Sequence, residues 1–250
     1  VSRVPGDKAQ FAMRLQRESG NSDTANMAAY SALETADCFA LQGKTLTLSF
    51  RARKGADFSS SGDIVTVQIR GGAHIDAVPY TLGNLSAFIN AVLTTSWQDF
   101  SVSLPSVLSN TVTQVGVWFQ TSTLSGSAGA DDWFEIENVQ LEVGPAVSEF
   151  DYRPISFELP LCQRYYYERG PITLRTDVTS GELYSIHVLH PQTMRTSPAI
   201  SYSAVTMAGF SGSAPTTADN MPGSFSARAT ANTTAPSRIA EFTYHADAEL

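Results

Sequence analysis

The stretch Glu-Leu-Pro-Leu-Cys-Gln-Arg-Tyr-Tyr-Tyr-Glu (158–168) combines a cysteine with an arginine and three tyrosines. A catalytic cysteine needs a histidine base within reach and an electropositive setting that lowers its pKa. The histidines are His74, His187, His190 and His245, and none forms a known local signature with Cys162. We therefore expect Cys162 to be a small buried side chain of a strand rather than a nucleophile.

A second reactive-looking stretch, Gly-Ala-Asp-Asp-Trp-Phe-Glu-Ile-Glu (129–137), is rich in carboxylates. Oxygen-rich loops bind Ca²⁺, so Asp131, Asp132 and Glu135 are candidate calcium ligands, although the spacing of an EF-hand loop is absent. Two carboxylates about 5–9.5 Å apart can also hydrolyse a glycosidic bond. Adjacent or alternating residues on one short segment cannot easily flank such a bond, so a solvated acidic loop is the simpler interpretation.

Aromatic side chains on the outside of a β-sandwich can stack on sugar rings, with amide, carboxylate and arginine groups binding the hydroxyls. The candidate aromatic residues are Trp118, Tyr80, Trp133 and Trp97. Trp118 is the strongest candidate because it opposes the core face of its strand, whereas Trp97 is expected in the core. Arg51, Arg53 and Arg70 lie on outward faces of their strands, where they could bind ligand or simply be solvated. Structural packing is the alternative for every aromatic residue here.

The elements that position these residues have a hydrophobic period of two, which predicts half-buried antiparallel strands. In residues 45–53, Leu46, Leu48, Phe50 and Ala52 alternate with polar residues, and in residues 64–70 Val65, Val67 and Ile69 do so. Further strands are predicted at 11–18, 97–104, 113–121 and 133–143.

Three segments depart from simple alternation. The apolar phase slips within residues 133–143, which predicts a β-bulge near Glu137–Asn138. Residues 27–42 fit either a helix or a strand with one short turn. In residues 84–93, Leu85, Phe88, Ile89 and Val92 fall at helical spacing, which suggests a short helix or a loop insertion.

The pattern of residues changes after Gly144-Pro145. Residues 150–160 contain two prolines and read as an extended linker. Short strands follow at 161–169, 181–190, 199–207 and 238–246, and in the first of them the three tyrosines split between two faces. We predict an all-β protein in which a jelly-roll β-sandwich (1–153) precedes a smaller C-terminal β domain (154–250).

The net charge of −8 and a pI near 4.9 argue against nucleic-acid binding and against docking onto anionic lipid. No apolar run approaches the length of a membrane span, so membrane insertion is not expected. Two cysteines are too few for a disulfide framework. Because Val1 is followed by a polar segment rather than a signal peptide, we expect a fragment or a processed product.

Four motifs occur in order: Glu-Asn-Val-Gln-Leu-Glu-Val-Gly (137–144), Phe-Asp-Tyr-Arg-Pro (150–154), the stretch 158–168 and a terminal Ala-Asp-Ala-Glu-Leu (246–250). Together with residues 43–58 and 94–104, they resemble the tail-fibre or receptor-binding proteins of tailed bacteriophages. In that family a jelly-roll similar to a carbohydrate-binding module is followed by a small β domain. The resemblance implies a virion protein at the distal end of a tail fibre, assembled in the host cytoplasm as a homotrimer beside other virion tail proteins. It also implies that Leu250 is the natural C-terminus and that the protein has no catalytic activity of its own.

The expected function is attachment of the virion to a host cell-surface glycan, either lipopolysaccharide or capsule, with no cofactor beyond a structural calcium ion. One alternative is a structural fibre module without a ligand. A polysaccharide depolymerase and a carbohydrate-binding module of a secreted enzyme are the others.

Overall fold

A computed structural model describes residues 1–77 and 79–248 of the chain. It is almost entirely β, with 52% of residues in strands and 9% in helices, which confirms the all-β sandwich prediction. Glu249 and Leu250, the last two residues of the terminal motif, lie outside the described residues. The chain divides into two compact units, the first spanning Val1–Asp151 and the second beginning at Tyr152. No helix in the described ranges is long and apolar enough to cross a membrane.

In the first unit, the described residues form nine strands and one short helix. The strands are β1 (Ser2–Pro5), β2 (Phe11–Gln16), β3 (Ala28–Ala32), β4 (Leu46–Lys54), β5 (Ile64–Gly72), β6 (Gly83–Val92), β7 (Gln98–Ser103), β8 (Gln114–Thr121) and β9 (Trp133–Val143). Helix α1 (Thr35–Cys38) continues into a 3₁₀ turn at Phe39–Leu41, and further 3₁₀ turns lie at Ser61–Asp63 and Pro79–Thr81.

Two antiparallel sheets form this unit. The five-stranded sheet has the order β1-β2-β9-β4-β7, and the four-stranded sheet has the order β3-β8-β5-β6. Side chains from both sheets share one core, and the predicted inward residues Leu46, Leu48, Val67 and Ile69 have no exposed surface. Burial of this alternating apolar face drives the sheets together.

The phase slip in β9 is a β-bulge, as the sequence predicts. Glu137 pairs with Arg51 and Gln140 pairs with Ser49, so two residues of β9 have no partner on β4. Asn138 has φ 50° at this point, a left-handed conformation that asparagine tolerates better than most residues. Because of the bulge, Glu135 and Glu137 lie on the outward face of the sheet, whereas Leu141 lies on the face that packs against the core.

Two ambiguous segments have definite structures. Residues 27–42 contain both elements that the sequence allows, strand β3 followed by helix α1. The helix or loop insertion expected for residues 84–93 is wrong, because this segment is the edge strand β6. Its small alternate residues Ala87 and Ala91 are buried, whereas Phe88 and Val92 are about half exposed on the outer face and produce the apparent helical spacing.

The second unit contains helix α2 (Ile155–Gln163) and the strands β10 (Tyr166–Val178), β11 (Leu183–Leu189), β12 (Ala199–Ala208), β13 (Thr216–Met221), β14 (Ser224–Thr230) and β15 (Ala235–Asp247). They form two three-stranded sheets, β10-β15-β12 and β11-β14-β13. The largest buried side chains of this unit are Tyr244, Phe225 and Phe242.

The linker expected at 150–160 and the strand expected at 161–169 are wrong over residues 155–163, which are helical, whereas residues 150–154 have no regular structure and residues 166–169 belong to β10. Pro154 occupies the N-cap position with ψ 143°, and the fixed φ of proline suits a helix start. Cys162 lies in this helix and is exposed rather than buried. The split of the tyrosines holds within β10, where Tyr166 is exposed and Tyr167 packs edge-to-face on Tyr244 with ring centroids 6.0 Å apart.

Candidate functional site on the four-stranded sheet

The outward face of the four-stranded sheet carries a row of side chains that crosses all four strands. Tyr30 of β3 pairs with Trp118 of β8, Trp118 pairs with Gln68 of β5, and Gln68 pairs with Phe88 of β6. Residues at paired positions of neighbouring strands project from the same face of a sheet. Three aromatic rings and one amide therefore lie along one line across the sheet.

Tyr30 and Trp118 form the centre of this row. Their ring centroids are 4.9 Å apart and their planes differ by 18°, which is a stacked arrangement. Trp118 Nε1 donates a hydrogen bond to Gln120 Oε1 at 2.9 Å, so the orientation of the indole is fixed within the strand. Tyr30 is 47% exposed and Phe88 is 56% exposed. The sheet thus presents apolar ring surface to solvent on a rigid support.

Polar side chains flank the aromatic row on one side. Gln120 of β8, Thr66 of β5 and Asn90 of β6 occupy the next row across the sheet. Thr66 Oγ1 donates to Asn90 Oδ1 at 2.9 Å. Amide and hydroxyl groups can both donate and accept hydrogen bonds, so this row can bind the hydroxyl groups of a ligand that lies on the rings.

Arg70 flanks the aromatic row on its other side. Its Cζ atom lies 4.5 Å from the centroid of a Trp118 ring, which is a cation–π contact. Burial lowers the pKa of the Arg70 guanidinium from its usual value. Tyr80 lies in the 3₁₀ turn at Pro79–Thr81, which contacts β3 and β8, and it is 60% exposed. Trp118 and Arg70 therefore lie together with Tyr30, and Phe88 lies on the same row, whereas Tyr80 stays a separate exposed candidate on the neighbouring turn.

Trp133 and Arg51 lie on the opposite sheet. Trp133 is 9% exposed and lies beneath the Arg14 guanidinium at 4.2 Å, so its ring is covered by protein. Arg51 is 8% exposed and is paired with Glu137 at 2.5 Å, Asp7 at 2.9 Å and Asp99 at 3.1 Å. The solvated arginine expected at position 51 is wrong, because three carboxylates hold it against the sheet.

Trp97 also differs from expectation. It is half-buried at the surface of the five-stranded sheet rather than in the core, with Arg53 over its ring at 4.9 Å. Trp97 and Trp133 both lie at the five-stranded sheet, whereas Trp118 lies on the four-stranded sheet, where Arg70 contacts its ring.

The carboxylates proposed as calcium ligands already have protein partners. Asp132 accepts hydrogen bonds from Arg17 Nη1, Ser59 N and Ser59 Oγ, and its side chain has no exposed surface. Glu135 accepts from Arg14 and Arg53. Within the described residues no three His, Cys, Asp or Glu side chains are grouped to hold a metal ion. The solvated acidic loop is likewise wrong at Asp132 and Glu135, because arginines of neighbouring strands draw these carboxylates into the structure.

Asp131 is held differently from these buried carboxylates. Its Oδ1 accepts a hydrogen bond from Trp133 Nε1 at 3.2 Å, and its backbone nitrogen donates to Asp57 Oδ2 at 3.1 Å. Asp131 therefore supports the orientation of the Trp133 ring rather than joining Asp132 and Glu135 around a cation.

A serine–histidine contact in the second unit was not apparent from the sequence. Ser203 Oγ lies 2.7 Å from His245 Nε2, and His245 Nδ1 lies 3.0 Å from the Tyr166 hydroxyl and 3.5 Å from Glu168 Oε2. A base hydrogen-bonded to a hydroxyl is one component of a nucleophilic site. The residues come from β12, β15 and β10, so no local motif could have indicated them, and this cluster needs its own assay.

No family model and no curated protein sequence matches this chain. Among solved structures, the enzymatically active domain of tailspike protein 4 from bacteriophage CBA120 aligns at 13% identity and TM-score 0.37, over 56% of this chain and 17% of that one. The K1 cleaved adhesin domain of Lys-gingipain from Porphyromonas gingivalis W83 aligns at 12% identity and TM-score 0.32, over 56% and 79%. Discoidin II of Dictyostelium discoideum aligns at 11% identity and TM-score 0.26, over 81% and 73%. All three scores are below 0.5, so the functional proposal rests on the residues of this chain.

Proposed function

We propose that this chain is the receptor-binding part of a phage tail fibre and that it attaches the virion to a host cell-surface glycan, either lipopolysaccharide or capsule. The sandwich of residues 1–153 would bind the glycan, and residues 154–250 would contribute to assembly with other copies and other tail proteins. The observation that carries the proposal is the stacked pair of exposed Tyr30 and half-buried Trp118 on the outward sheet face, bordered by amide and hydroxyl groups.

The chemistry of this face fits a sugar. Pyranose rings have one apolar face and a fringe of hydroxyl groups, and the aromatic row beside Gln120, Thr66 and Asn90 offers the complementary surfaces. An open sheet face admits a segment within a long polysaccharide rather than a chain end alone. Each contact of this kind is modest, and several copies on one virion would multiply the effective affinity.

The test is binding of the purified protein to susceptible cells and to their isolated polysaccharide. We expect Trp118→Ala and Tyr30→Ala to weaken binding at least about tenfold, which corresponds to about 1.4 kcal/mol. The matched control is Phe11→Ala, which removes a partly exposed aromatic ring from the five-stranded sheet. Unchanged binding by Trp118→Ala, or equal loss in Phe11→Ala, would contradict the proposed site once thermal unfolding shows that all variants fold.

The competing functions give different results in the same experiments. A structural module without a ligand would bind none of the susceptible hosts. A depolymerase would release reducing ends from host polysaccharide. A hydrolase that uses the Ser203–His245 contact would become covalently labelled on Ser203 by a fluorophosphonate probe, and Ser203→Ala would abolish the labelling. Binding without either chemical signal is the result that we expect.

Helix α2 supports the proposal of a homotrimer. None of its residues is buried, and Ile155, Phe157, Leu159 and Leu161 are 75%, 67%, 49% and 46% exposed. A nine-residue helix gains little stability from its own hydrogen bonds in water, and four exposed large apolar side chains on it are typical of a helix that another surface covers. We infer that copies of α2 from neighbouring chains cover one another in the trimer.

Sedimentation equilibrium would test this assembly. We expect a mass of about three times the 26.9 kDa chain at micromolar concentration. Phe157→Glu should shift the protein to monomer, whereas the control Val107→Glu, at a 58% exposed position in the first unit, should not. A wild-type monomer at tens of micromolar would overturn the trimer proposal without affecting the glycan proposal.

A further inference from the structure

The outward face of the four-stranded sheet is nearly free of charge. Its outward positions are the alternate residues of β3, β8 and β5 in phase with Tyr30, Trp118 and Gln68, together with their partners on β6. Arg70 is the single charged side chain among these positions, all of which lie in the described part of the chain. The face therefore has a local positive charge in a protein whose net charge is −8.

Arg70 differs from the arginines of β2 and β4 and from Arg17, which directly follows β2. Arg14, Arg17, Arg51 and Arg53 each lie within 2.5–2.9 Å of a carboxylate oxygen. Among residues 1–77 and 79–248, no carboxylate is paired with Arg70, and its buried Nε atom has no hydrogen-bond partner. A guanidinium that is partly desolvated without an anion is unfavourable, so the position is electrostatically incomplete in the free protein.

The surroundings of Arg70 direct its charge toward the aromatic row. Across the sheet it pairs with Gly116 on one side and Asn84 on the other, and neither position is acidic. Its guanidinium lies against Trp118, 4.5 Å from the ring centroid. An anion bound by Arg70 would therefore lie beside whatever stacks on the Tyr30–Trp118 pair.

We propose that the ligand of this face is an acidic glycan, and that Arg70 binds the carboxylate of a uronic acid while a sugar ring stacks on Trp118 and Tyr30. The planar guanidinium can donate two parallel hydrogen bonds to a carboxylate, which lysine cannot do. The bound carboxylate supplies the anion that the protein itself does not provide. This inference rests on the proposed glycan-binding function and specifies its ligand class.

A panel of bacterial surface polysaccharides, some neutral and some containing uronic acids, tests the inference. We expect the wild-type protein to bind uronic-acid polysaccharides, and we expect chemical reduction of their carboxyl groups to weaken binding at least about tenfold. Arg70→Gln should lose the same factor, and Arg70→Lys should recover only part of it. Arg3→Gln is the matched control, because Arg3 also lies over an aromatic ring, Phe11, at 4.2 Å but on the other sheet.

The outcomes separate the inference from the function on which it rests. Tight binding confined to neutral polysaccharides, with no effect of Arg70→Gln, would overturn the acidic-glycan inference and leave glycan binding intact. Retained binding after carboxyl reduction would overturn it as well. Binding to no polysaccharide at all would overturn the proposed function. Loss in Arg70→Gln with normal binding by Arg3→Gln would support the inference, and thermal unfolding of each variant controls for folding.

Discussion

Arg53 and Glu135 lie directly opposite each other on β4 and β9, and Arg53 Nε donates a hydrogen bond to Glu135 Oε2 at 2.7 Å. Arg14 of β2 donates a hydrogen bond of 2.7 Å from its Nε atom to the other carboxylate oxygen, Oε1. The Glu135 side chain has no exposed surface. The outward face of the five-stranded sheet is thus occupied by ion pairs that satisfy one another. The two outward faces of the sandwich consequently differ, because no carboxylate in the described ranges is paired with Arg70 on the four-stranded sheet.

Replacing Glu135 should therefore destabilise the first unit strongly. Glu135→Leu leaves Arg14 and Arg53 without their shared anion, and removal of one partner from a buried ion pair costs about 3–5 kcal/mol. Urea unfolding followed by tryptophan fluorescence reports on this unit alone, because Trp97, Trp118 and Trp133 all lie within it. The control Glu18→Gln removes an exposed carboxylate and should change the free energy of unfolding little. Equal midpoints for wild type and Glu135→Leu would contradict the structural role of the network.

The sequence predicts those features that depend on neighbours along the chain. Leu46 and Leu48 alternate with polar residues, and the same alternation places Trp118 outward on β8. The bulge near Asn138 follows from the slip in the alternation of apolar residues, because a shift of one residue in a strand moves side chains to the other face. Such local patterns were sufficient for the sandwich and for the central residue of the candidate site.

Contacts between distant residues could not be predicted in this way. Glu135 looked like a solvated loop residue because its partners Arg14 and Arg53 lie 121 and 82 positions away. Tyr30 lies in a segment whose small residues suited helix and strand equally, and its importance follows only from its register opposite Trp118. Helix α2 was missed because its two prolines were read as helix breakers, whereas Pro154 directly precedes the first helical residue and Pro160 lies inside the helix.

Tyr244 offers a test of buried polar groups in the second unit. Burial raises its pKa to about 12, and its hydroxyl has no hydrogen-bond partner among the described residues. Since an unsatisfied buried polar group costs about 1–3 kcal/mol, Tyr244→Phe should stabilise the second unit by up to that amount. Hydrogen-exchange protection of peptides from β14 and β15 measures the change.

The matched control is Tyr202→Phe. Burial raises the pKa of Tyr202 as well, but its hydroxyl lies 2.8 Å from Thr217 Oγ1 and forms a hydrogen bond. Removing a satisfied hydroxyl should destabilise the unit by about 1 kcal/mol. Destabilisation of similar size in both variants would show that the Tyr244 hydroxyl has a partner in solution.

His190 should make the second unit sensitive to acid. Its ring is 8% exposed and packs on Phe225 and Tyr244, and burial lowers its pKa below the usual value near 6.5. The unfolded chain therefore binds a proton at a higher pH than the folded unit does. The destabilisation of the folded unit by His190 is absent well above pH 6.5. It grows as the pH falls toward the pKa of the folded state, by at most about 1.4 kcal/mol per pH unit.

His190→Phe should remove this part of the pH dependence. Hydrogen-exchange protection at pH 7.5 and pH 5.5 gives the free energy of opening at each pH, and the difference between them should shrink in the variant. His187→Gln is the control, because His187 is exposed on β11, the strand that ends directly before His190. A pH dependence equal in wild type and His190→Phe would assign the acid sensitivity to other groups.

The two cysteines should react very differently with an aromatic disulfide reagent. Cys38 has no exposed surface, its Sγ accepts a hydrogen bond from Val115 N at 3.3 Å, and burial raises the pKa of its thiol. Thiolate is the reactive form, so Cys38 should react only as fast as the first unit opens. Cys162 is exposed on α2 and should react quickly in a dilute, dissociated chain.

The dependence of the Cys162 reaction rate on protein concentration tests whether α2 is covered in the assembly. If copies of α2 cover one another, the reaction of Cys162 should slow as the concentration rises into the micromolar range, whereas the reaction of Cys38 should not change. Cys162→Ser isolates the Cys38 signal, and Phe157→Glu should restore fast reaction of Cys162 at all concentrations because it disrupts the apolar surface of the helix. A Cys162 rate independent of concentration in a protein that sediments as a trimer would mean that the trimer forms through a different surface.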